Sequence, residues 1–297
     1  MARRYKMKYP ISHYYSLESV PDNMHDSLIN EFKDNGVTNF VLPCTVLERI
    51  VREPSRYGFI TRLAKKHGIT FGDAHMPFGQ HLDICCRERG RRKKMIEEQK
   101  QAMAYAADLG CRTCTIHVGA FDSVIFQTPN SELRPYGDET LDELVPEAEK
   151  LGIILALENS FERSNAPEEV LYYISRFNTK FFGVCYDSGH AKLMEYFEGK
   201  DYNKYFGGVT LAWPGKVDYC NDALDQLLPH IVTCHLHDNN GYGDDHAMPF
   251  DGITDWEKLS AKLLTAPRLE TIQSEVAMLK YGYSVKKLVD TFNKIFG

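Results

Sequence analysis

The sequence predicts one α/β domain, spanning residues 1–297, that folds as a closed (β/α)8 barrel of the TIM type. The chain has 297 residues, 43% of them hydrophobic and 26% charged, which is the balance of a folded globular protein. Eight short apolar runs alternate with eight amphipathic stretches along its length. A doubly wound open sheet usually has fewer strands and often a glycine-rich first turn, which this sequence lacks. The repeat of eight β-then-α units therefore favours the barrel.

The apolar runs are too hydrophobic for strands with one face in water, so they are typical of buried parallel strands. The predicted strands cover residues 9–15, 37–43, 69–75, 112–117, 153–158, 181–187, 230–235 and 269–275. Helical periodicity covers residues 22–35, 57–66, 91–109, 140–151, 167–176, 220–228, 255–264 and 284–295. Gly36, Gly110 and Gly152 follow three of these stretches at positions where helices commonly end.

Two connections are long for a barrel. The first covers residues 119–137, and the second covers residues 191–219 and contains seven aromatic side chains. Aromatic insertions after barrel strands are usually lids, substrate walls or subunit contacts. A purely structural role is the alternative for the second connection. The sequence also leaves open whether the protein is a homo-oligomer.

Charge and composition exclude some classes of protein. The net charge of −6 does not favour a general nucleic-acid-binding protein, and no apolar run is long enough to span a membrane. The N-terminus is basic but no apolar segment follows it, so we expect a cytoplasmic protein with reduced cysteines. Cys111 and Cys114 form one isolated CxxC pair, which we interpret as structural thiols because no second pair exists.

Six successive predicted strands each end in a histidine or a carboxylate. In a (β/α)8 barrel, the carboxyl ends of the strands form the active-site face, so these side chains are expected to converge. Clustered acids and imidazoles require a cation or a network of hydrogen bonds, and we expect a divalent metal ion rather than a polar plug. The six residues are His75, His117, Glu158, Asp187, His235 and Glu275.

The types of ligand narrow the choice of metal. Glu158, Asp187, His235 and Glu275 offer three carboxylates and one imidazole, an oxygen-rich set that suits Mn²⁺, Mg²⁺ or Co²⁺. Zinc is favoured if additional side chains make the site multinuclear. These additional candidates for metal or substrate binding are His75, His117, His190, Asp244 and His246.

Four short motifs carry a resemblance to a known family. They are Leu157-Glu158-Asn159, Asp187-Ser188-Gly189-His190, His235-Leu236-His237-Asp238 and Asp244-Asp245-His246. In their order and spacing, the sequence from about residue 9 to its end resembles the xylose isomerase-like TIM-barrel superfamily. That group includes sugar isomerases and epimerases, inosose dehydratases and abasic-site endonucleases of AP endonuclease family 2.

The resemblance implies a metal-dependent isomerase or epimerase acting on a sugar, a sugar phosphate or a polyol. Glu158 and Glu275 would be the catalytic residues and would transfer a proton next to a metal-bound carbonyl. His190 would contact a substrate hydroxyl, and Trp213 and Phe78 would cover the apolar face of the sugar. The ketose 3-epimerase branch carries an arginine after the seventh strand, whereas this sequence has Asn-Asn-Gly-Tyr at residues 239–242.

Two other activities share the same residues. A lyase or dehydratase on an oxidised sugar or cyclitol would begin with the same proton abstraction. A zinc-dependent abasic-site phosphodiesterase would use nine metal-binding positions, and this sequence has a histidine or a carboxylate at each of them. It would also need a cationic face for phosphates, for which residues 87–94 are the candidates. A metal-binding subunit without catalysis is the remaining alternative. We expect a small carbohydrate partner, and neither a membrane nor a nucleic acid.

Overall fold

Eight parallel strands form a closed barrel, which confirms the predicted fold. The structure is a computed structural model that describes residues 9–297, and the basic N-terminal segment considered above lies mostly outside them. Each strand pairs with the next, and the last pairs with the first. The strands are β1 (Ile11–His13), β2 (Asn39–Leu42), β3 (Thr70–His75), β4 (Thr113–His117), β5 (Ile154–Glu158), β6 (Phe182–Asp187), β7 (Ile231–Leu236) and β8 (Ile272–Ser274).

Helices surround the barrel and connect each strand to the next. They are α1 (His25–Asp34), α2 (Cys44–Arg52), α3 (Ser55–His67), α4 (Arg89–Asp108), α5 (Phe121–Ile125), α6 (Asn130–Leu151), α7 (Pro167–Ser175), α8 (Ser188–Met194), α9 (Gly207–Ala212), α10 (Ala223–Leu227), α11 (Trp256–Leu263), α12 (Met278–Tyr281) and α13 (Val285–Phe296). The main apolar core lies between this ring and the strands, where Phe40, Phe71, Phe182 and Phe292 are buried. Burial of this apolar surface is the main force that closes the barrel.

The predicted connection at residues 119–137 is mostly helical. It contains α5 and the first turns of α6, which begins at Asn130 instead of at residue 140. Pro135 and Gly137 weaken the helical signal of this segment, yet Leu133 and Gly137 are buried against the rest of the fold. Tertiary packing therefore extends the helix beyond what local propensity predicts.

The second long connection forms a small core of its own. Leu193, Tyr205, Val209 and Trp213 are buried together in a cluster separate from the main one. Phe161, which follows β5, packs against this cluster. The insertion is therefore a folded layer above the strand ends and reaches the side of the predicted active-site face.

Inside the barrel, a polar layer lies below the strand ends. The Asp73 carboxylate is fully buried and accepts hydrogen bonds from the hydroxyls of Thr113 (2.6 Å) and Thr233 (3.1 Å). Its burial raises the pKa of Asp73. Side chains two residues apart on a strand share a face, so His75 points into the barrel above Asp73.

Cys111 and Cys114 are both buried, and burial raises the pKa of each thiol well above its ordinary value. Both residues are therefore typical of structural thiols rather than of redox-active ones. Among residues 9–297, no helix is long and apolar enough to cross a membrane.

Candidate metal centre and active site

The carboxyl ends of the strands bring four predicted ligands together. Glu158 ends β5, Asp187 ends β6, His235 lies near the end of β7, and Glu275 directly follows β8. One ligand atom from each of the four lies within 4.8 Å of the other three. The first three side chains are almost completely buried, whereas Glu275 faces the opening. We call these four residues the central group.

Unpaired polar atoms test whether a cation fits the central group. Within the described chain, Glu158 Oε2 and both ring nitrogens of His235 are buried without a hydrogen bond. His235 Nδ1 lies 3.2 Å from Glu158 Oε2 and 3.3 Å from Glu275 Oε2. Buried polar atoms are rarely left unpaired, because each costs free energy. Three carboxylates and an imidazole with free lone pairs are a donor set that fits a divalent metal ion.

Charges in the central group shift several pKa values. Burial opposes ionisation of Glu158, but the His235 and His117 imidazoles and a hydrogen bond from His190 hold its pKa well below the ordinary range. Burial likewise opposes ionisation of Glu275, and His235 outweighs it, so the net pKa is lowered. Burial lowers the pKa of His235, but Cys185, Glu275 and Glu158 outweigh burial, so the pKa of His235 lies well above its ordinary value. The surrounding imidazoles therefore favour the ionised form of both glutamates.

Two histidines from neighbouring strands form a second ligand group with Glu158. His75 Nε2 and His117 Nε2 lie 3.6 Å and 3.5 Å from Glu158 Oε2, and 3.2 Å from each other. The His75 ring is oriented by its Nδ1, which lies 2.9 Å from the Met76 carbonyl oxygen. Burial lowers the pKa of His117, which favours the neutral imidazole that binds metals.

The third ligand group contains His237, Asp244 and His246, and His190 lies beside it. Asp244 is 3.3 Å from His246 Nε2 and 3.6 Å from His190 Nε2. His246 adopts a positive φ of 51°, a strained conformation that is common at functional sites. The His237 ring stacks on the His246 ring with centroids 3.9 Å apart. His237 stands in one of the four sequence motifs but was not among the predicted ligands, so its place among the possible ligands is new.

Orienting contacts surround these groups. Asn159 bridges two strands: its side chain donates to the Asp187 carbonyl (3.0 Å) and accepts from the Asp187 N–H (2.9 Å). Asp238 accepts hydrogen bonds from the Trp256 indole (2.7 Å) and from the backbone N–H groups of Phe250 and Thr254. Asn159 was not assigned a role from the sequence, although it stands in the Leu-Glu-Asn motif.

A cavity of about 470 Å³ opens above the central group. Phe78 lines it and is 54% exposed, with its ring centroid 5.2 Å from those of His75 and His117. Tyr14 and Cys44 also line it, from the ends of β1 and β2. Neither residue was predicted to lie at the site, because only histidines and carboxylates at strand ends indicate a metal centre.

The position of Trp213 differs from the predicted one. Its ring is buried in the insertion, where the indole N–H donates to the Phe161 carbonyl oxygen at 2.6 Å. Phe161 itself lines the cavity, so Trp213 supports a wall of the cavity from behind. The hydrogen-bonding need of a buried indole explains this position.

Half of the basic side chains in the segment at residues 87–94 are already paired with acids, whereas Arg89, Arg91 and Lys93 are exposed. Arg87 pairs with Asp122 at 2.7 Å, and Arg92 is buried with its guanidinium bonded to Glu139. Lys94 lies 3.5 Å from Glu98 on the same helix. The remaining basic side chains are typical of a solvated start of a helix.

A closed parallel barrel with acids and imidazoles gathered at its strand ends defines a TIM barrel with side-chain groups that could hold metal ions. The model of the xylose isomerase-like TIM-barrel family matches residues 44–269. The chain therefore belongs to this family, as its motifs suggested.

Two relatives share its sequence along most of its length. The uncharacterized protein y4fM of Sinorhizobium fredii is 28% identical over 216 residues, which is 70% of this chain and 62% of that protein. The uncharacterized protein MJ1311 of Methanocaldococcus jannaschii is 23% identical over 261 residues, or 86% of this chain and 79% of its own length. The chain thus spans less than two thirds of the first relative.

Solved structures share the fold over nearly the whole chain. A D-tagatose 3-epimerase-like protein superposes with a TM-score of 0.70 at 19% identity, covering 96% of this chain and 98% of its own. An IOLI protein with a bound zinc atom superposes with a TM-score of 0.68 at 16% identity, and the match covers 96% of each chain. The 3-keto-D-glucoside 4-epimerase YcjR from E. coli superposes with a TM-score of 0.67 at 15% identity, covering 97% of this chain and 99% of its own. At these identities the likeness establishes the fold alone.

Proposed function

We propose that the protein is a metal-dependent isomerase or epimerase that acts on a sugar or a related polyol. The observation that carries this proposal is the pair of ionised carboxylates, Glu158 and Glu275, at one cavity large enough for a monosaccharide derivative. Their lowered pKa values keep both carboxylates ionised at neutral pH, which is the form that can accept a proton. The epimerases among the solved structures support the same class of reaction.

The chain's own residues supply the proton transfers. One of the two glutamates removes a proton from the carbon next to the substrate carbonyl, and the other returns a proton. Return to the opposite face of the same carbon is epimerisation, whereas return to the adjacent carbon is isomerisation. His190 orients a substrate hydroxyl, and Phe78 covers the apolar side of the sugar from the rim of the cavity.

The central group would hold the metal ion. Glu158, Asp187, His235 and Glu275 form an oxygen-rich set that suits Mn²⁺, Mg²⁺ or Co²⁺. When bound, such an ion polarises a carbonyl and so acidifies the neighbouring C–H bond. Asp187 and His235 contribute no catalytic base in this scheme, so their role is to hold the ion.

A second candidate is a zinc-dependent phosphodiesterase. It is favoured by three adjacent ligand groups, two of which share Glu158. Against it stands the lining of the cavity, where no lysine or arginine is found among the described residues. Phosphodiester substrates usually need such cations. A lyase or dehydratase would share the first proton abstraction with an epimerase, and only the product distinguishes the two.

Two measurements test the proposal. The first is the metal content per chain, by elemental analysis of protein purified without a chelator or a metal-binding tag. The second is solvent deuterium incorporation into ketoses, aldoses and cyclitols, followed by NMR. We expect about one Mn, Mg or Co ion and exchange of a single carbon-bound proton. About three zinc ions with nicking of abasic DNA would instead favour the phosphodiesterase.

The Glu275→Gln variant separates chemistry from folding. The amide has nearly the same shape but cannot accept a proton, so we expect exchange to fall by at least about a hundredfold. Its melting temperature and circular dichroism should match those of the metal-free wild type. Wild-type exchange in this variant would remove Glu275 from the mechanism.

A further inference from the structure

A second cavity of about 320 Å³ adjoins the one above the central group. The two share Phe78, His117, Phe161 and Glu162 in their walls. The side pocket, as we call it, lies between the segment after β3, helix α5 and the start of α9. Leu82, Val124 and Ile125 give it a mostly apolar wall. Nothing in the mechanism proposed above uses this space.

We propose that the side pocket binds an uncharged aromatic or short alkyl substituent carried by the sugar substrate. This inference rests on the proposed function, because it assigns the sugar ring to the adjoining cavity. Ile125 and Phe78 are 53% and 54% exposed, so apolar surface at its mouth remains to be covered. An apolar cavity of roughly 150 Å³ can hold a benzene molecule, so this volume accommodates a substituted ring.

The charges around the side pocket exclude a phosphate there, because the acids Asp83 and Glu162 line it. No lysine or arginine occurs among the described side chains that line either cavity, and Glu162 stands at their boundary. A phosphate group would therefore meet a carboxylate instead of a cation. The substituent that fits is neutral.

Asn165 indicates that the ligand of the side pocket carries a hydrogen-bond donor. Its side chain is fully buried in the wall of the side pocket, and within the described chain its Oδ1 has no hydrogen-bond partner. Its Nδ2 donates to Glu162 at 3.2 Å, which fixes the amide orientation. A free acceptor in an apolar pocket matches a ligand that brings one donor, such as a phenolic hydroxyl.

The atom through which the substituent is attached determines where the sugar can carry a carbonyl. A group attached through the anomeric oxygen closes the carbonyl of the sugar. Proton abstraction next to a carbonyl then requires a keto group elsewhere in the ring. A substrate with the substituent at that oxygen would therefore be a ketoglycoside, and an enzyme that oxidises a ring hydroxyl would have to supply it.

Binding of matched sugar pairs tests the assignment without requiring turnover. The probes are methyl, phenyl and 4-hydroxyphenyl glycosides of glucose, galactose and mannose, together with glucose 6-phosphate, titrated calorimetrically into the metal-loaded protein. For at least one sugar, we expect the phenyl glycoside to bind at least about tenfold more tightly than the methyl glycoside. The 4-hydroxyphenyl glycoside should bind more tightly still, and the phosphate should not bind.

Two aspartate substitutions locate the effect. Val124→Asp places a charge in the side pocket, whereas Leu211→Asp places one on a neighbouring helix at a side chain that is 59% exposed. The phenyl preference should disappear in the first variant and persist in the second. Equal affinity for methyl and phenyl glycosides in the wild type, or tighter binding of the phosphate, would overturn the proposal. Deuterium exchange into unsubstituted sugars without a phenyl preference would leave the epimerase proposal standing and reject the side pocket.

Discussion

Asp187 performs two tasks with one carboxylate at the end of β6. Its Oδ1 accepts a hydrogen bond from the His190 N–H at 2.6 Å and so caps helix α8. Its Oδ2 lies 3.1 Å from His237 Nε2, and the residue also belongs to the central group. A structural cap and a metal ligand make different demands, because only the ligand role requires the negative charge.

Replacing Asp187 therefore separates the two roles. Asp187→Asn keeps an oxygen for the cap but loses the charge, so we expect metal affinity to fall by at least about tenfold while the metal-free protein unfolds as the wild type does. Asp187→Ala should lose the affinity and also about 1 kcal/mol of stability. Metal titration and thermal unfolding of both variants measure the two effects. Unchanged metal affinity in both variants would break the ligand assignment.

His13 links the stability of the barrel to pH. It lies on β1 with Nδ1 3.0 Å from the Ser274 hydroxyl and its ring against Phe292, and burial lowers its pKa to about 4. Between pH 6.5 and 4, the unfolded chain binds a proton at this residue that the folded chain does not. The free energy of unfolding should therefore fall with the pH, by about 3 kcal/mol in total.

The His13→Asn variant isolates that contribution. Denaturant unfolding between pH 7 and pH 4.5 should show a shallower loss of stability in the variant than in the wild type. Both proteins should be compared without metal, because metal binding to the three ligand groups also depends on pH. Parallel pH profiles would show that His13 is not the group responsible.

At the scale of elements, the short helix α8 depends on a close approach. A Cβ atom on Gly189 would lie 2.0 Å from the His237 ring, which packs directly on the start of the helix. We expect Gly189→Ala to displace His237 from Asp187 and to weaken metal binding severalfold, although no ligand is removed. Gly207→Ala is the matched control, because a Cβ there meets nothing within 4 Å. Metal titration of both variants measures the difference, and equal affinities would contradict it.

The elements differ in how well the sequence predicts them. The strands follow from their apolar runs, and six strand-end residues reach the face that the barrel rule assigns to them. Helix α2 was missed because it begins at Cys44, directly after β2, with no loop or capping side chain to mark it. The early start of α6 depends on packing contacts that local propensity does not contain.

At the scale of the whole molecule, barrel closure joins side chains that are far apart in sequence. Glu158 and Glu275 are separated by more than a hundred residues, and closure through the β1–β8 pairing brings their carboxylates to one cavity. Periodicity and the barrel rule predict this convergence. They do not predict that Trp213 is buried in the insertion or that His237 stacks on His246, because both depend on loops whose path is set by tertiary contacts.

The central group also couples metal binding to the stability of the entire barrel. It joins β5, β6, β7 and the residue after β8, so an ion bound there ties together strands that must separate on unfolding. A ligand that binds only the folded state stabilises it by about 4 kcal/mol when present at a thousand times its dissociation constant. We therefore expect metal to raise the melting temperature by several degrees and a chelator to reverse the gain.

The Asp187→Asn variant supplies the internal control for this coupling. Its metal-free melting temperature should equal that of the metal-free wild type, whereas at the same metal concentration its gain should be smaller. Scanning calorimetry at several metal concentrations separates this effect from nonspecific ion binding, because only a specific site gives a gain that grows logarithmically with concentration above its dissociation constant. Equal gains in the two proteins would place the stabilising ion outside the central group, even if the barrel binds metal elsewhere.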